Sequence, residues 1–227
     1  MQVGNISAAR GVEWFKQGWT IFAKDMKNWV LMALVLGVGA FVLEILPIIG
    51  QIAMCVLMPA LLGGMLYAAK QASSGAPVKL EYLWMLLTDT QKRNQFLALG
   101  GIVFAAVVTV GIISAAFVGD SLLRGASSGV FGIGFGGLLF LFIMGFVFFV
   151  LFSYTPALMI FRNLSLFDAL QACAKTASTQ VVPLLVFFLI YSILAVIASL
   201  PFGLGWLVLL PIMAGAVYTS YTELFTE

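Results

Sequence analysis

Six runs of about 20 apolar residues constrain the fold of this chain more than any other feature, because a helix of that length crosses a bilayer. They cover residues 29–46, 52–69, 96–118, 138–160, 181–200 and 204–221. Only 9% of the residues are charged, whereas soluble domains carry about 25%. The chain is therefore predicted to be an all-α integral membrane protein with six transmembrane helices. The glycine-dense segment 129–137 is predicted to be a loop or a loose helix start.

The cations indicate how these helices are oriented. Of the 11 Lys and Arg residues, all but Arg124 lie before the first run, between the second and third, or between the fourth and fifth. Because cytoplasmic loops retain Lys and Arg, both termini are predicted to be cytoplasmic. The polar N-terminal segment does not have the layout of a cleavable signal peptide, and none is expected.

Each pair of runs follows a segment with apolar residues three or four positions apart, which is the period of an amphipathic helix. The first stripe comprises Val12, Phe15, Trp19, Phe22, Met26 and Trp29. The second follows Pro77 and comprises Leu80, Leu83, Trp84 and Leu87. The third follows a capping-box-like Ser165 and Asp168 and comprises Leu166, Leu170, Cys173 and Ala177. We expect three cytoplasmic amphipathic helices at the membrane interface.

A proline recurs in the second run of every pair, as Pro59, Pro156 and Pro211. Gly63 and Gly215 follow the first and third of these prolines by four residues. The pattern predicts three hairpins of a degenerate pseudo-threefold repeat, at about 7–70, 77–161 and 164–222, within one membrane domain, 1–227. Such prolines free backbone carbonyls and kink helices, so these five residues are candidates for a kink or a central cavity. Alternatively, proline is simply common in membrane helices.

Residues that carry catalysis or bind metals are scarce. The chain has no His, which removes the commonest general base and metal ligand. Its two cysteines, Cys55 and Cys173, are expected to be free thiols. No carboxylate pair has convincing helical spacing inside a run. The sequence therefore predicts a non-enzymatic protein that needs no cofactor and no metal.

Two groups of polar residues are candidate sites. Glu44 lies inside an apolar run near its outer boundary, with Gln51 close in sequence. It either reaches water at the interface or forms a proton or cation site, since intramembrane ionisable groups are often functional. The second group, on the cytoplasmic side, is predicted to contact anionic lipid headgroups and comprises Lys16, Trp19, Lys24 and Lys27.

Two short motifs carry a resemblance to known proteins. These are Gly11-Val-Glu-Trp14 and Tyr154-Thr-Pro-Ala-Leu-Met-Ile-Phe-Arg162, the latter followed by Ser165 and an amphipathic segment. They resemble an uncharacterised family of proteobacterial inner-membrane proteins. That family is loosely similar to the membrane domain found beside some glycerophosphodiester phosphodiesterases. The resemblance implies a six-span fold in the bacterial inner membrane, and it supplies no activity or active residues.

Two functions from different classes fit these observations. The first is a non-enzymatic inner-membrane protein that contacts anionic lipids, a membrane-protein partner or further copies of itself, as an accessory or organising subunit. The alternative is a transporter or channel for a hydrophobic or lipid-like solute, with a cavity lined by proline-kinked helices. A net charge of +2 gives no support for nucleic acid as a partner.

Overall fold

The computed structural model describes residues 6–123 and 134–225, without the side chains of residues 117–123, 134 and 135. This part of the chain is helical and contains no β-strand. Its α-helices are α1 Arg10–Ala23, α2 Met26–Glu44, α3 Ile49–Ser73, α4 Met85–Thr88, α5 Thr90–Leu123, α6 Gly134–Phe161, α7 Leu166–Thr179, α8 Val181–Ser199 and α9 Trp206–Leu224. A 3-10 turn, Leu80–Leu83, precedes α4.

Six of these helices, α2, α3, α5, α6, α8 and α9, are long and apolar enough to cross a membrane. This confirms the six predicted runs as helices. The helices extend beyond the apolar runs, most clearly where α5 begins at Thr90 and α3 continues to Ser73. Hydrophobicity marks the hydrocarbon-spanning part of a helix and says nothing about polar turns beyond it. The predicted loop at 129–137 falls largely outside the described residues, and α6 has begun by Gly134.

Helix α1 packs mainly against α9, with α8 beside it. Their backbones nearly touch: a Cβ on Gly18 would lie 2.4 Å from the carbonyl oxygen of Ile212. The buried face of α1 consists of Gly11, Trp14, Phe15, Gly18, Ile21 and Phe22. The predicted stripe shares only part of this face, since Val12 and Trp19 are 42% and 50% exposed. The spacing of apolar residues predicted the wrong buried face for α1. Two glycines on the true face, Gly11 and Gly18, make close contacts with α8 and α9 but contribute nothing to a hydrophobic pattern.

The second predicted amphipathic helix does not form as one helix, and this prediction was wrong in detail. The segment folds instead as the 3-10 turn followed by the single turn of α4. Asp89 starts a new helix at this point, because its carboxylate accepts hydrogen bonds from the backbone N–H groups of Gln91 and Lys92 at 2.9 and 3.2 Å. The 3-10 turn also lies directly on α3, where a Cβ on Gly64 would be 2.2 Å from the carbonyl oxygen of Tyr82.

The third segment forms a continuous helix, α7, as predicted. Ser165 caps it: the Ser165 hydroxyl accepts from the backbone N–H of Asp168 at 3.3 Å and donates to the carboxylate of Asp168 at 2.6 Å. Leu166, Ala169 and Cys173 are buried, with α6 and α8 as packing partners.

Helices α3, α6 and α9 end on the same side of the molecule. The ammonium of Lys70 on α3 lies 5.1 Å from the ring centroid of Phe161 on α6. Phe161 in turn packs against Tyr218 and Tyr221 on α9. We call this side of the bundle the basic end, because Lys70 and Arg162 lie there. It also carries Arg10, which pairs with Glu223 near the end of α9.

Candidate functional site: an apolar cavity and its charged rim

A cavity of about 700 Å³ lies between α3, α5, α6, α8 and α9, five of the six long helices. Its walls come from the middle of each helix, for example Leu62, Gly111, Phe149, Phe188 and Met213. Among the described residues that line it, none is charged, and only Ser153 and Tyr191 carry a side-chain hydroxyl. Ligand pockets in proteins have volumes of roughly 300–1,000 Å³ and mostly apolar walls, so this cavity has the size and character of a site for an apolar ligand.

Aromatic rings form one wall of the cavity. Phe149 lies at its centre, with ring centroids 5.4 Å from Phe188 and 5.1 Å from Tyr191. Phe148 and Phe152 pack against each other at 4.2 Å. Aromatic pairs at such separations contribute packing energy beyond their buried area. This wall is therefore held by its own contacts and does not need a ligand to fix its shape.

Two hydroxyls give the cavity a small polar component. Neither the Ser153 nor the Tyr191 hydroxyl has a hydrogen-bond partner within the described residues. The backbone of α6 lacks one hydrogen bond at this level, because the carbonyl of the lining residue Phe152 has no i+4 donor where residue 156 is proline. These groups can accept or donate a hydrogen bond to a ligand or a water molecule.

The three prolines stand beside the cavity and not in its wall. Pro59, Pro156 and Pro211 are all buried, and none lines the cavity. Residues within three positions of them do line it, as Leu62, Ser153 and Leu210.

The two predicted glycines make close helix contacts elsewhere. A Cβ on Gly63 would lie 2.7–3.2 Å from side-chain atoms of Leu86, Ile160 and Phe96, and one on Gly215 would lie 2.9 Å from Gly18 of α1. The residues that the sequence singled out therefore lie on helices that surround the cavity, but they are neighbours of its lining residues and do not line it themselves.

Glu44 and Gln51 lie apart from the cavity. Glu44 is the last residue of α2, and Gln51 belongs to the first turn of α3. Both are exposed, and neither lines the cavity.

The four predicted headgroup residues lie on α1 and at the junction with α2. Lys16 pairs with Glu13 at 2.7 Å, and Trp19 is half exposed. The ammonium of Lys24 donates to the carbonyl oxygens of Ser73 and Ala72 at 3.3 and 3.4 Å, so it caps the end of α3. Lys27 is exposed. None of the four lines the cavity.

A basic and aromatic cluster at the basic end was not singled out from the sequence. It comprises Lys70, Phe161, Arg162, Tyr218 and Tyr221, and we call it the Lys70–Arg162 cluster. Phe161 lies 5.6 Å from Tyr218 and 5.4 Å from Tyr221 between ring centroids, under the ammonium of Lys70. Arg162 donates to the carbonyl oxygen of Phe225. In the described chain, neither cation has a carboxylate within 4.0 Å. The sequence showed these cations only as topology signals.

Glu223 joins α1 to α9 and was also missed. Its carboxylate accepts from Arg10 through two nitrogens, Nε at 3.0 Å and a terminal guanidinium nitrogen, and from Trp14 Nε1 at 3.0 Å. Trp14 is fully buried, so Glu223 satisfies an indole N–H that has no access to water. The hydrogen bond to Glu223 raises the pKa of the Arg10 guanidinium further above its ordinary value. The group therefore supports the fold.

The cysteines are free, as predicted. Cys173 is fully buried on α7, and its thiol lies 3.5 Å from the hydroxyl of Thr155. Burial raises the pKa of this thiol from 9.0 to about 12, against a smaller opposing effect of the Thr155 hydrogen bond. Because the thiolate is the reactive form, Cys173 is an inert packing residue at neutral pH. Within residues 6–123 and 134–225, no three His, Cys, Asp or Glu side chains are grouped as metal ligands.

Comparison with known proteins adds no further information about this site. No protein-family model, curated protein or solved structure matches the chain.

Proposed function

We propose that this protein is a non-enzymatic membrane protein that holds a lipid-like molecule in its intramembrane cavity. The observation that carries the proposal is the apolar cavity of about 700 Å³ between five membrane-length helices. In a bilayer the molecules that reach such a cavity are chiefly lipids, and a chain that fills it makes the van der Waals contacts that the apolar wall atoms would otherwise lack. The scarcity of polar atoms in the wall argues against a hydrated ion as cargo.

The orientation we propose places the basic end in the cytoplasm of a bacterial inner membrane. The distribution of Lys and Arg supports it. Helix α1 would lie at the headgroup level, where the exposed Trp19 and Lys16 suit the boundary between water and hydrocarbon. Contact of these residues, Lys24 and Lys27 with anionic lipid headgroups remains part of this proposal.

The three-hairpin repeat is also part of the proposal. It is supported by the buried prolines of α3, α6 and α9, which are the three helices that meet at the basic end. The repeat is loose, because its second unit begins with a 3-10 turn and α4 where the first and third units have 14-residue helices.

A tryptophan placed in the cavity tests the proposal. Gly111 on α5 lines the cavity, and a Cβ there would meet no described atom within 4 Å, so Gly111→Trp can fill the space without a backbone clash. The probe is a phospholipid with a diazirine in mid-chain, crosslinked in reconstituted membranes and mapped by mass spectrometry. We expect the wild type to crosslink at residues 141–153 of α6, and we expect Gly111→Trp to lose most of that signal.

Gly101→Trp is the matched control. Gly101 lies on the same helix, also has open space at its Cβ, and does not line the cavity. This variant should keep the α6 crosslinks. Outward-facing residues of α2 such as Phe41, which is 68% exposed, give the background labelling of the lipid-facing surface. If labelling of residues 141–153 in the wild type does not exceed that background, the cavity holds no lipid.

Transport of the bound molecule is a second candidate function. It is favoured by the three prolines within a few residues of the cavity wall, because transporters use interrupted helices near their binding sites. An accessory role beside a membrane-protein partner, or in a homo-oligomer, is a further proposal. Its support is the exposed apolar face of α2 formed by Leu34, Val38, Phe41 and Val42, which would contact lipid or another helix.

A further inference from the structure

We infer that the ligand of the cavity is an anionic lipid whose headgroup phosphate binds between Lys70 and Arg162 at the basic end. This inference deepens the proposed function and rests on it. It assigns a binding role to two cations that are separate from the predicted headgroup contacts on α1 and at its junction with α2.

The cluster lies one helical turn beyond the cavity on two helices. Leu66 lines the cavity, and Lys70 follows it by four residues along α3. Val217 lines the cavity, and Tyr221, whose ring packs against Phe161 of the cluster, follows it by four residues along α9. Residues four apart share one face of a helix and are about 6 Å apart along its axis. The cations are therefore within reach of the head of a molecule whose chain lies in the cavity.

No carboxylate of the described chain neutralises these two cations. Helices α3 and α6 contain no acidic residue, and the single one on α9 is Glu223. Glu223 is engaged by Arg10 and Trp14. The partners of Lys70 and Arg162 are a ring face and a backbone carbonyl, both of them neutral. Within the described residues, the cluster thus carries uncompensated positive charge.

An anionic phospholipid satisfies both parts of the site at once. Its chain fills the cavity and contacts the apolar walls. Its phosphate accepts hydrogen bonds from a guanidinium and an ammonium, which are the side chains that proteins use for phosphate. Tyr218 and Tyr221 pack against Phe161 beside these cations. A soluble phosphate would gain only the polar half of these contacts.

The test compares two lipids with identical chains and different net headgroup charge. Phosphatidylglycerol and phosphatidylcholine compete for the detergent-solubilised full-length protein, and native mass spectrometry counts the retained adducts. We expect the wild type to prefer phosphatidylglycerol. A cation near an anionic lipid contributes about 1 kcal/mol, so Lys70→Gln should lower the preference about 5-fold and Lys70→Gln with Arg162→Gln about 30-fold.

Three controls make the result specific. Lys92→Gln with Arg93→Gln removes the same charge at the start of α5, outside the cluster, and should leave the preference unchanged. Lys70→Arg keeps the charge and should keep the preference. Lys70→Gln alone is the variant safest for folding, because Lys70 is exposed and contacts a ring face. Inorganic phosphate at millimolar concentration should not displace the lipid, since it has no chain.

The outcomes separate this inference from the proposed function. If the wild type retains both lipids and the double Gln variant keeps the wild-type preference, the two cations only cap helix ends and the inference is overturned while cavity binding stands. Displacement of lipid by inorganic phosphate alone would also overturn it. If the wild type retains neither lipid, both the proposed function and this inference fail.

Discussion

At the scale of single residues, Glu223 connects the most distant parts of the chain. Its carboxylate accepts from Arg10 and from the indole N–H of Trp14, residues 213 and 209 positions away. The Arg10 pair is partly exposed, with side chains 37% and 29% accessible, so its charge attraction is weakened by water. The bond to Trp14 has no such competition, because Trp14 is fully buried.

We therefore predict that Glu223→Ala destabilises the protein by about 2 kcal/mol, because it leaves a buried donor without an acceptor. Glu223→Gln should cost less, since its amide oxygen can still accept from Trp14. Glu13→Ala, which removes only the exposed pair with Lys16, should stay within about 0.5 kcal/mol of wild type. Unfolding in mixed detergent micelles, followed by tryptophan fluorescence, measures all three. Equal stability of Glu223→Ala and Glu13→Ala would contradict the role given to Trp14.

At the scale of elements, the crossing of α1 and α9 leaves no room for a larger residue at its glycines. Gly18 and Gly215 face each other, and a Cβ on Gly215 would lie 2.9 Å from the Cα of Gly18. A Cβ on Gly18 would meet backbone atoms of Ile212 and Ala216 at 2.4 and 2.8 Å. Backbone atoms cannot swing aside as a flexible side chain does, so added volume here must separate the helices.

We predict that Gly18→Ala lowers stability by about 1–3 kcal/mol, the usual cost of overpacking. Gly37→Ala on α2 is the matched control, because its Cβ would meet no described atom within 4 Å. There the better helix propensity of alanine should make the change neutral or stabilising by up to about 1 kcal/mol. Thermal unfolding of the two variants side by side gives the comparison. A Gly18→Ala protein as stable as Gly37→Ala would show that the crossing is looser than described.

Local sequence signals predicted some of these elements and missed others. The six apolar runs required only length and hydrophobicity, and the cap of α7 required only Ser165 and Asp168. The buried face of α1 depended on α9, nearly the whole chain away, and no periodicity of α1 contains that information. The 3-10 turn at Leu80–Leu83 depended on contact with Gly64 of α3. Tertiary contacts decided both cases.

The candidate site was predicted less completely than the fold. The prolines pointed to three of the helices around the cavity, because a proline breaks a backbone hydrogen bond of its helix and can be recognised from the sequence alone. The lining residues themselves are ordinary Leu, Phe and Val, which are indistinguishable in sequence from lipid-facing residues. Lys70 and Arg162 lie 92 positions apart in the sequence, and only the meeting of α3, α6 and α9 brings them together.

At the scale of the whole molecule, charge is concentrated at one end. Lys70, Arg162, Arg10 and Lys24 all lie where α3, α6 and α9 end. The turn between α8 and α9 at the opposite end exposes Phe202 completely and has no charged residue between Leu200 and Gly205. This asymmetry supports the orientation that we propose.

Cysteine labelling of cells tests that orientation. In a background with Cys55→Ser and Cys173→Ser, Phe202→Cys should react with a membrane-impermeant maleimide in intact spheroplasts, because the turn would face the periplasm. Lys92→Cys should react only after the membrane is opened. The reverse pattern would show that the basic end faces outward.

The joint between α1 and α9 has a consequence for biogenesis. Among the described helices, α1 leaves the ribosome first and α9 last, and at 5–20 residues per second the 213 positions from Arg10 to Glu223 take roughly 10–40 s to translate. During that interval Trp14 and Phe22 have no α9 to cover them. A nascent chain that stops before α9 keeps this apolar face uncovered, so α1 can dock in its final place only after α9 has been made.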